Sequence, residues 1–218
     1  MTTPHTLRVD FVSDIVCPWC AVGLHSLLAA AERVPEVQLD LHFHPFELNP
    51  QMGPEGEDLR EHLQRKYGGG PAQFDQVHEM LRQRGAALGF AFSPARTRIV
   101  NTRDAHRLLH WAGLKEDGSQ QRLKTALLHA YFSEGRDVSS RSVLLEVATA
   151  CGLDAAATAE VLESGQFGDE VAAAERQIQA QGINSVPAIV FEQQHLVQGG
   201  QPVETFEQVL RQLAARPS

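Results

Sequence analysis

Asp14-Ile15-Val16-Cys17-Pro18-Trp19-Cys20 is the stretch that decides how this chain is read. Two cysteines stand three positions apart. An alternating apolar run (Leu7, Val9, Phe11) leads into them, and apolar residues at helical spacing (Val22, Leu24, Leu27, Leu28) follow. A strand over Leu7–Ser13 therefore runs into a helix whose first turn carries both thiols. Pro18 suits that first turn, where a missing N–H costs nothing. This context makes an ordinary cysteine pair a candidate redox dithiol.

Working outward, the helix ends near Val34-Pro35, and Gln38–Phe46 alternates again as a second strand closed by Pro45. The connection is long enough for a right-handed crossover to a parallel neighbour. From about Gly56 to Gln166 the periodicity turns helical, with expected helices over Leu59–Lys66, Pro71–Leu88, Thr102–Ala112, Gln120–Phe132, Ser140–Cys151 and Asp154–Ser164. Gly and Pro mark the breaks, including Gly68-Gly69-Gly70-Pro71. The last section reads as a helix over Glu170–Gln181, short strands over Ala188–Phe191 and His195–Gln198 with a tight turn between, and an amphipathic helix over Thr205–Ala214. The expected fold class is α/β: a thioredoxin fold with a large all-helical domain inserted between its β-α-β and α-β-β-α halves. The corresponding division is residues 1–50 and 167–218 for the thioredoxin-like part and 51–166 for the insert.

A thiol at a helix start sits beside unsatisfied backbone N–H groups and the positive end of the helix dipole, and both favour the thiolate that attacks disulfides. Cys17, just before the helix, is expected to be the more exposed of the two and the nucleophile. Cys20, one turn further in, is placed to resolve a mixed disulfide. Pro18 stiffens the loop, and Trp19 shields the sulfurs and offers a flat apolar surface. The second wall of the site is expected at Ser185-Val186-Pro187. A proline opening an apolar strand there is read as cis, leaving the Val186 backbone open to an extended peptide. A trans proline on an edge strand is the alternative.

The bulk properties are those of an ordinary globular chain: 218 residues, 43% hydrophobic and 21% charged. A formal net charge of −8 and the lack of any basic run argue against nucleic acid. No segment approaches the roughly 18 apolar residues of a membrane span. The Met-Thr-Thr-Pro-His start lacks a signal pattern, so a cytoplasmic location is expected. Three cysteines in such a chain make one functional pair and one odd residue rather than a disulfide framework.

Cys17-Pro18-Trp19-Cys20, the helical insert, Ser185-Val186-Pro187 and the trailing Gly199-Gly200-Gln201 resemble the DsbA-like thioredoxin superfamily. The stretch from Val12 to Cys20, Phe46-Glu47-Leu48-Asn49-Pro50 and the run from Asn101 to Leu108 resemble its cytoplasmic FrnE-like branch. The resemblance covers essentially the whole chain. It implies a thiol–disulfide oxidoreductase acting on protein or low-molecular-weight thiols, with no cofactor unless glutathione serves as co-substrate. The partner set is then protein or peptide disulfides and thiols, without nucleic acid or membrane, and the chain a monomer or homodimer. It also implies site-lining roles for Asn101 and His106. The superfamily's glutathione-dependent isomerases, such as 2-hydroxychromene-2-carboxylate isomerase, and its kappa-class transferases usually carry serine at the nucleophile. Retention of both cysteines weighs against that alternative.

Other constellations are weaker. A zinc site needs four ligands, and beyond the pair only Cys151 remains as a thiolate. Cys151 itself is expected to be a small buried apolar residue at a helix end, with Gly152 as the cap. His106 and His110 share a helix face, His110 reading as an ordinary surface histidine. Glu47, just after the second strand, is a carboxylate that reads as a proton relay beneath the dithiol or as a plain capping residue. Gly68-Gly69-Gly70 lacks the strand and Lys-Ser/Thr of a phosphate loop.

Overall fold

The computed structural model describes residues 5–215. Strand β1 (His5–Ser13) lies inside a four-stranded sheet of order β2-β1-β5-β6. It pairs in parallel with β2 (Val37–Pro45) through the crossover helix α1 (Pro18–Glu32). On its other side it pairs antiparallel with β5 (Ala188–Phe191), which pairs antiparallel with β6 (His195–Gln198). The turn between the last two strands carries Glu192 and Gln193 at φ 50° and 56°, the left-handed backbone that lets the chain reverse at once.

The alternation of β1 sorts its side chains onto two faces. Leu7, Val9 and Phe11 join Leu24 and Leu27 of α1 and Phe206 and Leu210 of α9 (Val203–Ala214) in one buried cluster. Val12 stands opposite Ala188 in the register and packs instead with Ile178 of α8 (Gly168–Ala180).

Between β2 and α8 come β3 (Glu57–Asp58), α2 (Leu59–Tyr67), α3 (Pro71–Ala87), β4 (Arg98–Ile99), α4 (Arg103–Gly113), α5 (Ser119–Phe132), α6 (Arg141–Ala150) and α7 (Ala155–Ser164). The expected helices are all present. The region is not helical throughout, because β3 and β4 form a two-residue antiparallel ladder, too short to leave a periodic signature. Asp58 in that ladder also accepts from the N–H groups of Arg60 and Glu61, capping α2.

The insert docks on the edge of the sheet through α4 and α5. Gln120 of α5 behaves like a further strand against β2. Its Oε1 accepts from Phe43 N at 3.0 Å and its Nε2 donates to Phe43 O at 3.0 Å, closing an otherwise open edge. The buried cluster of the sheet continues without a break into Leu108, Leu123, Leu127 and Phe132 of these helices. Among the described residues no helix is long and apolar enough to cross a membrane.

Candidate functional site

β1 ends at Ser13, and four residues later Cys17 caps α1 in an extended conformation, with Pro18 opening the helix. Both thiols are free and both are buried: Cys17 is 4% exposed and Cys20 is 0%. Cys17 is the more accessible of the two, as expected, though by a narrow margin. The Val186–Pro187 peptide bond is cis, as the chain order predicts. Its loop stands over the dithiol, with the Cys17 thiol 3.8 Å from Val186 O. Gly23 lets α1 approach closely, since a Cβ there would lie 3.2 Å from Pro187 Cγ. Ser185 is exposed beside this loop.

Trp19 is half-buried and held from two sides. The Arg84 guanidinium of α3 lies 5.3 Å from its ring centroid, and the Gly200 backbone lies so close that a Cβ would reach Trp19 O at 2.9 Å. Arg84 also donates to Gly200 O at 3.4 Å. In front of Cys17 opens a groove of about 550 Å³ between the active loop and the insert. Trp19, Val186, Leu59, Leu63, Phe74 and Leu81 supply much of its wall. Of its polar residues, Arg60 pairs with Asp75 and His62 with Glu57, both at 2.7 Å, while Arg96 lies over the rings of Tyr131 and Phe132. Exposed Tyr67 and Val77 extend the apolar surface to the rim.

Behind the dithiol the chemistry reverses. Asp14 is completely buried; its Oδ2 accepts from Leu48 N at 2.8 Å and its Oδ1 from His106 Nε2 at 3.3 Å. Burial alone raises the Asp14 carboxyl, but the His106 hydrogen bond, the Leu48 N–H and the Lys124 charge outweigh it and hold the group below its ordinary value. Lys124 of α5 is 1% exposed, and burial pushes its amine down against the pull of Cys20, Asp14 and Cys17. Burial drives the Cys20 thiol well up, and its hydrogen bond with Cys17 adds to this, while Lys124 and an Asp14 backbone N–H oppose.

The remaining sequence candidates fall in different places. His106 reaches the buried cluster through Asp14. Glu47 is also buried, with Oε2 unpartnered, and burial beside Glu175 raises its carboxyl to about 7. Its charged neighbours are Glu175, Arg103 and Asp14. Asn101 is engaged with backbone: Nδ2 donates to Met52 O at 2.8 Å and Oδ1 accepts from Arg103 N at 2.9 Å. It shapes the start of α4 and the segment after β2. Cys151 is half-buried rather than buried, its thiol donating to Arg122 O at 3.7 Å, because it sits at the C-terminal end of α6. His110 is half-buried, its ring 5.4 Å from that of Phe167.

Lys124 escaped the sequence reading, although a signal existed. Lys124, Leu127, Leu128 and Tyr131 stand at i, i+3, i+4 and i+7, so a lysine occupies the apolar stripe of α5.

Against this geometry the comparisons are informative. The model of the DSBA-like thioredoxin domain matches residues 8–211. The chain belongs to this family. A probable DsbA oxidoreductase from Streptomyces coelicolor superposes with a TM-score of 0.86 at 33% identity, over 97% of this chain and 92% of that one. The cytosolic disulfide reductase DsbM from Pseudomonas aeruginosa, in its structure with GSH, gives a TM-score of 0.65 at 20% identity, over 95% and 98% of the two chains. A 2-hydroxychromene-2-carboxylate isomerase gives 0.68 at 16% identity, over 94% and 95%. The last two show the shared fold alone. A pair of free cysteines at the start of α1 facing a cis proline is the part of this chain suited to thiol–disulfide exchange.

Proposed function

We propose that the chain is a thiol–disulfide oxidoreductase of the FrnE-like cytoplasmic branch, with Cys17 as nucleophile and Cys20 as resolving thiol. The observation that carries this reading is the Cys17 thiol facing Val186 O beside the cis Val186–Pro187 bond, with free Cys20 one turn behind it. An incoming disulfide lies along Val186, as an added strand lies along a sheet edge. Cys17 attacks one of its sulfurs, the other leaves as thiolate, and Cys20 then attacks Cys17 to release the bound half. Pro18 fixes the helix start, and Trp19 forms a wall of the groove. Substrates are protein, peptide or low-molecular-weight disulfides, with glutathione as a co-substrate and no resident cofactor.

The test uses the whole protein. It should form a reversible Cys17–Cys20 disulfide, seen by gel shift with a thiol reagent, and should catalyse insulin reduction. Cys17→Ser should lower turnover to the uncatalysed background. No reversible disulfide and no turnover in the wild type would sink the reading.

One observation favours a second reading. The apolar groove opening onto Cys17 has room for a small aromatic molecule, as a glutathione-dependent isomerase or transferase requires. That reading demands saturable glutathione binding and an activity that survives Cys20→Ser.

A further inference from the structure

The groove in front of Cys17 holds a cation that the chain itself leaves without a counter-charge. Arg96 lies in the segment between α3 and β4, is 8% exposed, and lines the groove together with Cys17, Trp19 and Val186. Its guanidinium stands 5.4 Å from the ring centroid of Tyr131 and 5.0 Å from that of Phe132. Among the described residues no carboxylate pairs with it. The carboxylates of the groove wall are engaged elsewhere: Asp75 pairs with Arg60 at 2.7 Å, and Asp58 accepts from the N–H groups of Arg60 and Glu61.

Burying a guanidinium without a counter-charge costs stability. Two aromatic rings offset part of that cost. They leave most of the five N–H donors of an arginine unused. The Tyr131 hydroxyl, whose own proton lies on Arg98 O at 2.8 Å, is the polar side chain beside the guanidinium and can accept from it at one point. The donors that remain are available to a ligand in the groove.

The segment that carries Arg96 is fixed on both sides. Ser93 N donates to Phe132 O at 2.8 Å, and Thr97 O accepts from Leu59 N at 2.9 Å. Gly135, at φ 68°, presses against the same segment, so that a Cβ there would lie 2.7 Å from Ala95 C. A cation held in this way does not have to be ordered when a ligand binds. The groove, at about 550 Å³, has the size of a small-molecule site. Its walls are apolar, and its uncompensated charge is a planar fork that meets a carboxylate at two points.

We propose that the groove selects low-molecular-weight disulfides that carry a carboxylate on an apolar body, and that Arg96 recognises the carboxylate. This inference rests on the oxidoreductase reading above and gives that site a substrate class. Cys17 gives its proton to solvent and attacks one sulfur of the disulfide. The S–S bond breaks, and its electron pair leaves on the other sulfur as a thiolate. Arg96 holds the carboxylate of the half that stays on Cys17 until Cys20 displaces it.

The test is stopped-flow reaction of the reduced protein with two aromatic disulfides of similar size. In 5,5′-dithiobis(2-nitrobenzoate) each ring bears a carboxylate, and 4,4′-dithiodipyridine has none. Attack by Cys17 releases the first thiol and resolution by Cys20 the second, and the first phase is the one compared. In Arg96→Met the ratio of the dithiobisnitrobenzoate rate to the dithiodipyridine rate should fall about 10- to 100-fold below that of the wild type, the effect of a lost hydrogen bond between charged groups. Arg96→Lys keeps the charge without the fork and should recover part of the ratio. Nitrobenzoate should compete with dithiobisnitrobenzoate for the wild-type protein, and nitrobenzamide should not. An unchanged ratio in Arg96→Met overturns the inference, as does a fall in both rates by the same factor. Should that variant fail to fold, nitrobenzoate that competes no better than nitrobenzamide on the wild type overturns it too. Absence of a first phase with either disulfide in the wild type would instead overturn the oxidoreductase reading.

Discussion

The two sides of the dithiol are built on opposite principles. In front of Cys17 is an apolar groove at whose exposed rim Arg60 and Asp75 pair with each other. Behind it Asp14, His106 and Lys124 are all buried, and Asp14 is held by Leu48 N and His106 Nε2. Water weakens the pair at the rim, whereas nothing screens the rear, so equal changes in charge have unequal consequences. The front is suited to choosing among substrates. The rear is suited to setting protons and electrons.

If that contrast is right, the largest effect on folding comes from the rear. Asp14→Ala strips His106 of its acceptor and leaves Leu48 N unsatisfied, and Lys124 loses its one carboxylate neighbour. Breaking a buried charge cluster in this way should cost about 3–5 kcal/mol. Thermal unfolding at pH 7 should fall by roughly 6–20 °C in a chain of this size. The sign of the pH dependence follows from the lowered Asp14 carboxyl. Its contribution is present above the ordinary 3.8 and is lost as pH falls through the folded value. The gap between wild type and variant should therefore narrow in acid, and a gap independent of pH would break the assignment.

Glu47 is buried as well and carries the opposite sign. Its carboxyl is raised from 4.5 to about 7, so its protonated form stabilises the fold fully below the unfolded value, and that contribution is lost as pH rises through 7. Glu47→Gln imitates the protonated state. It should unfold like the wild type at pH 4 and be more stable at pH 8 by about 1–3 kcal/mol. Denaturant melts across that range check this, and equal stability at pH 8 would place Glu47 in the front-side, screened class.

The contrast also explains what could be read from the chain alone. The strands around Phe11 and the helices of the insert announce themselves, because a buried face imposes period 2 or 3.6 on apolar residues. The cis proline was legible from element order, since a proline opening the β5 strand must face the start of α1 in this topology. The front half of the site was legible for the same reason. The rear was not. Lys124 is polar by composition, and its place in an apolar stripe becomes meaningful only once α5 is seen against the dithiol. Asp14 stands in the motif without a role visible in the sequence, because only folding brings Leu48 and His106 to it. Gln120 and the β3–β4 ladder make backbone pairings that carry no periodicity. The order of exposure of the two thiols was legible from their places at the start of α1, but the near-complete burial of both was not.

The smallest effect should come from the front, and it sharpens the comparison most. Arg84 is an exposed cation that lies over Trp19 and donates to Gly200 O, tying α3 to the active loop and to the chain before α9. At an exposed site a cation–π contact contributes about 0.5–1 kcal/mol, and the single long hydrogen bond adds little in the presence of water. Arg84→Met keeps the aliphatic stem against the ring while removing the charge. Stability should change by less than about 1 kcal/mol, and the resolving phase at Cys20 should be unaltered, because Arg84 makes no contact with the buried rear. What should move is the groove: Trp19 fluorescence should shift as the indole loosens. KM for a peptide disulfide should rise, with kcat held. A fall in the resolving rate of this variant would mean that the two sides of the dithiol are coupled through α1, and the division between substrate choice and proton transfer would have to be given up.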